Sequence, residues 1–251
     1  MPTFLHGKGT KVLLDEFDLS GYFNSVDLTQ TIDTAETTTF SATSKSYIKG
    51  LEDGTISMSG LYSLDTDGSD EELSAILGSA TTPLITVAFD AGTIGNRCVV
   101  AKAHETNYSI SNPVADVSSV TADFNASTDA TANLLRSITT GVMLTAGSSI
   151  AFGSLGNLAS VDNSASTANG ATAILHVTAN TISGGATTIK VQHSADNISF
   201  VDLVTFSSVS ASTPTSEQKV VTGTINQYVR ATASTAGSSG AITFHIGFAR
   251  F

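Results

Sequence analysis

Apolar and polar residues alternate with a period of two along much of this chain, which predicts a protein built from short β-strands. Val26, Leu28 and Ile32 alternate with Asp27, Thr29 and Asp33, and Ile56, Met58 and Gly60 alternate with Ser57 and Ser59. Ile85, Val87 and Phe89 against Thr86, Ala88 and Asp90 follow the same rule, as do Val120, Ala122 and Phe124 against Thr121, Asp123 and Asn125. The cleanest strand is C-terminal: Ile242, Phe244, Ile246 and Phe248 share one face, and Thr243, His245, Gly247 and Ala249 the other. Several such segments, separated by turn residues, predict an antiparallel sandwich in the second half.

Only one stretch carries the helical period. Ser69 with Glu72 three residues on forms a capping-box pattern, Leu73, Ile76 and Leu77 make one apolar stripe, and Gly78 stops the helix. At about two turns it must dock on a sheet to persist. Upstream, Asp53-Gly54 is a hairpin-turn signal. The long hairpin loop it marks, about residues 41–61, carries Tyr47, Ile48 and Leu51 as isolated apolar points among small and polar residues. A hairpin with so few core-facing residues does not stand alone, and a second subunit completes it. Residues 145–165 are small and polar and read as a linker-like connection, while 7–11 (GKGTK) read as part of a loose basic arm.

Composition agrees with the pattern. Ser and Thr occupy 70 of 251 positions, only 13% of residues are charged, and Trp is absent. That mixture excludes collagen, coiled coil and a charge-driven disordered chain. The net charge of −11 lies wholly in residues 1–140, with seven Lys/Arg against eighteen Asp/Glu; residues 141–251 hold four of each. Such a balance argues against gripping nucleic-acid phosphates or anionic membranes. The first residues lack the apolar core of a signal peptide, and no window has the apolar length of a membrane span.

Catalytic and metal-binding patterns are missing. His6, His104, His176, His193 and His245 form no metal-ligand spacing and read as polar-face strand residues. The carboxylates of 65–72 match no calcium loop order and read as a turn feeding the helix. No nucleophile elbow occurs, the acids of 1–140 offer no preferred pair, and Cys98 is the only cysteine. The chain reads as no enzyme, with no cofactor and no metal.

The stretch SKSYIKGLEDGTISMSGLY, an acidic linker, the helix EELSAILG, the strand ITVAFD and the later ADVSSVTADFNAS resemble the major tail (tail tube) proteins of long, non-contractile-tailed bacteriophages, over about residues 12–144. The best matching points are Tyr47, Ile48, Gly50, Leu51, Gly54, Ile56 and Gly60. The resemblance implies an all-β fold: a tail-tube-type β-sandwich or barrel closed by one short packed α-helix (1–144), then a second antiparallel β-sandwich (166–251) on the tube exterior. It implies a structural virion protein that stacks as hexameric rings into a tail tube, assembled in the host bacterial cytoplasm, through which the genome passes. Partners implied are other copies of itself, a tape-measure protein, a tail terminator, tail-tip or baseplate proteins, and double-stranded DNA passing without specific binding. No membrane insertion is expected.

Under that reading the inter-subunit hairpin residues are Tyr47, Ile48, Leu51, Ile56 and Met58. The acids expected to face the lumen, where they repel DNA phosphates, are Asp27, Asp33, Asp90 and Asp123. A different class of function, a phage decoration or adhesion protein whose C-terminal sandwich binds cell-surface glycans, is disfavoured by the scarcity of aromatics after residue 140. A secretion-system tube protein of the same fold is disfavoured by the extra sandwich.

Overall fold

The computed structural model describes residues 6–127 and 138–251. Its strands are β1 (Lys11–Leu14), β2 (Phe17–Asp18), β3 (Phe23–Glu36), β4 (Tyr47–Leu61), β5 (Leu84–Ala88), β6 (Arg97–Ser111), β7 (Ser119–Ala126) and β8 (Ile138–Met143). They continue as β9 (Ile150–Ala151), β10 (Val161–Asp162), β11 (Ala171–Asn180), β12 (Thr187–Ser194), β13 (Val201–Thr205), β14 (Thr215–Val221), β15 (Tyr228–Thr235) and β16 (Ala241–Arg250). The helix α1 spans Ser69–Ile76. Among the described residues the fold is all-β with one α-helix, as the alternation predicts.

Two compact units form, and they are interleaved along the chain. The larger comprises Met1–Gly21, Leu84–Val100 and Thr139–Phe251, and the smaller Tyr22–Pro83 and Ala101–Ile138. This corrects the expected consecutive division into 1–144 and 166–251. The reason is strand pairing: β1 and β5 pair with each other inside the larger unit, so the first half of the chain supplies strands to both units.

In the larger unit, β14, β11, β16 and β8 lie side by side in one sheet, and β10, β15, β12 and β13 form a second. Leu175 and Val177 of β11 and Phe244, Ile246 and Phe248 of β16 bury against Ile189 and Val191 of β12 and Val229 of β15. The back of β11 and β16 is also covered. Ile174 and Ala249 pack with Leu84, Ala88, Cys98 and Val100. The alternation of β16 is therefore as read, but its second face looks into protein rather than solvent. Residues 145–165 are no linker: they carry β9 and β10, and Leu155 and Leu158 pack on the sandwich core.

The smaller unit is an antiparallel sheet in the order β3-β4-β7-β6. Two cross-strand rows set its register. Val26 pairs with Met58 and Met58 with Ala122; Leu28 pairs with Ile56 and Ile56 with Phe124. Ile56, Met58, Phe124 and Leu73 of α1 are fully buried, each contributing about 1.5–3 kcal/mol. Ser69 does not cap α1 as the capping-box pattern predicts. Gly68 holds the cap position, and the Ser69 hydroxyl instead donates to the Leu61 carbonyl (2.9 Å) and accepts from the Ser63 N–H (3.1 Å). That ties the helix to the end of β4.

The Asp53-Gly54 turn signal is also overridden. Both residues lie inside β4, where Asp53 pairs with Thr31 and Gly54 with Gln30. The chain reverses at 37–46, so the hairpin is longer than the expected 41–61. Packing of Leu28 on Ile56 and Val26 on Met58 fixes the register and outweighs a local turn preference.

Candidate assembly surfaces

β4 pairs with β7 only from Thr55 to Leu61, whereas its pairing with β3 runs on to Glu36 opposite Tyr47. Beyond Thr55 the hairpin is a two-stranded ribbon that leaves the sheet. A bulge between Ile32 and Thr34 interrupts it, and Lys45 pairs with Glu36 (3.2 Å) at its end. Tyr47 (53% exposed), Ile48 (58%), Leu51 (80%) and Ile32 (52%) stand on it without cover. Isolated ribbons of this kind are marginal in water. Exposed large apolar side chains clustered on one are the mark of a surface that another chain covers.

Of the five predicted hairpin residues, the structure separates two from the rest. Ile56 and Met58 are buried within their own unit, so their role is the core and not a contact with another subunit. Tyr47, Ile48 and Leu51 remain on the exposed ribbon. Ile32, on the facing strand, joins them and was missed; its place in the β3 alternation was the available signal.

The opposite face of the smaller unit's sheet is polar. Asp27 pairs with Ser57, Ser57 with Asp123, and Asp123 with Asn107, so two predicted lumen acids lie in one row across β3, β4, β7 and β6. Ser25 pairs with Ser59 and Ser59 with Thr121 in the adjacent row, and Thr29 with Thr55 and Thr55 with Asn125 in the next. Asp123 accepts hydrogen bonds from the Ser57 hydroxyl and from Asn107 Nδ2 (2.8 Å), which hold its carboxyl below the usual carboxylate range. Asp33 sits further out, at the ribbon bulge.

Asp90 does not belong to this set. It lies in the larger unit, in a short 3-10 turn (Asp90–Gly92) with φ 56°, where Asn96 Nδ2 donates to it at 2.6 Å. The expected alternation fails there because β5 is buried on both faces from Leu84 to Ala88.

Charge follows the structural partition. The smaller unit holds fourteen Asp/Glu against four Lys/Arg, a net of −10; the larger holds eight against seven, a net of −1. The sequence-level asymmetry between halves thus resolves almost entirely into one unit.

The histidines are not polar-face residues throughout. His176 and His245 form a cross-strand pair that is completely buried. His176 Nε2 bonds the Thr86 hydroxyl (2.7 Å) and its Nδ1 the Asp15 carbonyl (2.5 Å); His245 Nδ1 has no partner among the described residues. Burial pushes both down to about 4, so both are neutral near pH 7. Thr86 is itself fully buried, so this cluster is a packed layer with no access for a substrate.

Glu105 was also missed. It lies opposite Phe124 on the core side of β6, nearly buried, with neither carboxylate oxygen bonded among the described residues, and burial raises it to about 8. Its place in the alternation of Ala101, Ala103 and Glu105 was legible in the sequence. Asp67, Glu71 and Glu72 bring carboxylate oxygens within 4.8 Å of one another at the start of α1.

Among the described residues no helix is long and apolar enough to cross a membrane. Compared by sequence, the chain matches no family model and no curated protein. Solved structures of similar shape include a chain in the virion of a native gene transfer agent particle (TM-score 0.43, 14% identity), covering 50% of this chain and 96% of that one. A chain in the tail of an empty gene transfer agent particle, refined with C6 symmetry, gives 0.41 and 16%, with the same coverage. The SPP1 Dit (gp 19.1) protein, described as a paradigm of hub adsorption apparatus in Gram-positive infecting phages, gives 0.34 and 11% over 95% of this chain and 98% of that one. The first two of these neighbours come from a virion and a tail assembly.

Proposed function

We propose that this chain is a structural protein of a phage tail, assembling as stacked hexameric rings into the tube that delivers the genome. The observation that carries the reading is the ribbon of β3 and β4, which presents Ile32, Tyr47, Ile48 and Leu51 to solvent beyond the last strand that supports it. A neighbouring copy supplies the missing cover. The hydroxyl-rich face bearing Asp27 and Asp123 serves as the channel wall. Fixed negative charge there repels DNA phosphates, and neutral hydroxyls offer the backbone no cationic hold. The sequence resemblance to tail tube proteins, stated above on its residues, points the same way. The tape-measure, terminator and tail-tip partners come with that resemblance.

The test removes the ribbon alone. Replacing residues 32–52 by Asn-Gly joins Thr31 to Asp53, which already pair, through a two-residue hairpin turn. The expected product has the circular dichroism spectrum of a folded β protein and stays monomeric in sedimentation velocity, while the wild-type chain forms rings or tubes. Normal tubes from the shortened chain would refute the proposal.

A further inference from the structure

In the larger unit, Arg97, Thr140, Gly141, Val142, Asn163, Phe248 and Arg250 line an open cavity of about 210 Å³. Two of the lining residues are arginines, and none is acidic. The remaining cations of this unit beyond the N-terminal turn are committed elsewhere. Lys11 pairs with Asp18, Lys190 with Asp202 and Lys219 with Glu217, while Arg230 lies 3.8 Å from the centre of the Phe200 ring. Arg250 is held in place by neutral acceptors only: its guanidinium donates to the Ala165 carbonyl and to the Asn163 carbonyl (3.0 Å). The Arg97 guanidinium has no hydrogen-bond or ion-pair partner among the described residues; its carbonyl accepts from the Phe89 N–H (3.1 Å). Asp162, which precedes the lining Asn163 in sequence, accepts from Gln227 Nε2 (2.8 Å) and the Ser164 N–H (2.7 Å). In a chain of net charge −11, a cavity lined by two arginines and no carboxylate favours a negatively charged group.

The smaller unit carries the matching group. Asp67 and Glu71 are exposed and crowded with Glu72, and neither has a basic partner among the described residues. Glu71 Oε2 accepts the Asp67 N–H at 3.0 Å, and two guanidiniums complement this exposed pair of carboxylates in charge. We propose that the Arg97–Arg250 cavity of one copy receives the Asp67/Glu71 carboxylates of a second copy, a head-to-tail contact of charge on charge. Because the contact is heterologous, it repeats from copy to copy, as growth of a ring or tube requires. The inference rests on the self-assembly reading above.

The test is charge exchange in the full chain, read by sedimentation velocity and negative-stain microscopy. Arg97→Glu/Arg250→Glu and, separately, Asp67→Lys/Glu71→Lys are expected to raise the concentration needed for assembly about tenfold or more. An equimolar mixture of the two variants is expected to assemble within about threefold of wild type, since each cavity then meets a loop of opposite charge. Arg97→Glu alone, which breaks no hydrogen bond, is expected to weaken assembly and keeps the test valid if the double variant misfolds. Wild-type assembly by Arg97→Glu, or by the loop variant, would overturn the proposal. So would a mixture that stays dispersed while one chain carrying all four changes assembles, because the contact would then lie within a chain. Phosphate that raises the wild-type melting temperature but not that of Arg97→Glu, with assembly unchanged, would assign the cavity to a free anion instead. A wild-type chain that never assembles refutes the self-assembly reading itself, and this inference with it.

Discussion

Glu105 offers a quantitative test of the smaller unit's core. Its carboxyl lies opposite Phe124, with no hydrogen-bond partner among the described residues, and burial raises it from 4.5 to about 8. In the unfolded chain the group ionises near its ordinary value; in the folded chain it holds its proton up to about pH 8. Between those values the folded state binds the extra proton, so its stability is greatest below about pH 4.5 and declines as pH rises through 8. A tenfold difference in proton affinity between the folded and unfolded chain corresponds to about 1.4 kcal/mol; discounted for solvent screening, the loss between pH 5 and 9 is about 2–4 kcal/mol. Glu105→Gln keeps the shape and removes the titration. Urea unfolding followed by far-UV circular dichroism suits a chain without Trp. We expect the variant to match or fall slightly below wild type at pH 5. At pH 9 its midpoint should exceed wild type by about 1–4 M, for a slope near 1–2 kcal/mol per M. Other groups titrate equally in both proteins and cancel in the difference. Parallel profiles across this range would refute the buried, unpartnered placement of Glu105.

Two further outcomes follow from the packing. His176 and His245 sit near 4 when folded and at the ordinary 6.5 when unfolded, so the unfolded chain binds more protons between those values and stability falls as pH drops from 6.5 to 4. His245→Gln should flatten that acid limb relative to wild type in a thermal-melt series; an unchanged limb would contradict burial of the pair. Gly60→Ala should destabilise the smaller unit by about 1–3 kcal/mol in urea unfolding, because a Cβ there would lie 2.1 Å from the Tyr22 carbonyl oxygen. A neutral substitution would show that β3 does not approach β4 this closely.

Much of this was legible along the chain because a period of two is local information. The faces of β7 and β16 follow directly from it, with Val120, Ala122 and Phe124 buried on one and Ile242, Phe244, Ile246 and Phe248 on the other. Which polar face meets solvent is not local. Gly247 and Ala249 look neutral in sequence, yet Val100 and Thr86 lie against the first and Leu84, Ala88 and Cys98 pack with the second, and the same first-half segments interleave the two units. The Asp53-Gly54 signal failed for a related reason: cross-strand packing on Ile56 and Met58 set a register that a turn preference cannot overcome. Asp27 and Asp123 were recognised singly, and only the register placed them in one row. The Arg97–Arg250 cavity joins residues 153 positions apart in sequence and left no pattern to find.

The most direct test of the central claim is electron cryomicroscopy of the purified wild-type chain after concentration at moderate salt. Stacked rings around an open channel are expected, with the β3–β4 ribbon seated on a neighbouring copy and Asp27 and Asp123 on the channel wall. Monomers at every concentration and salt, or tubes in which that face points outward and the ribbon hangs free, would contradict it.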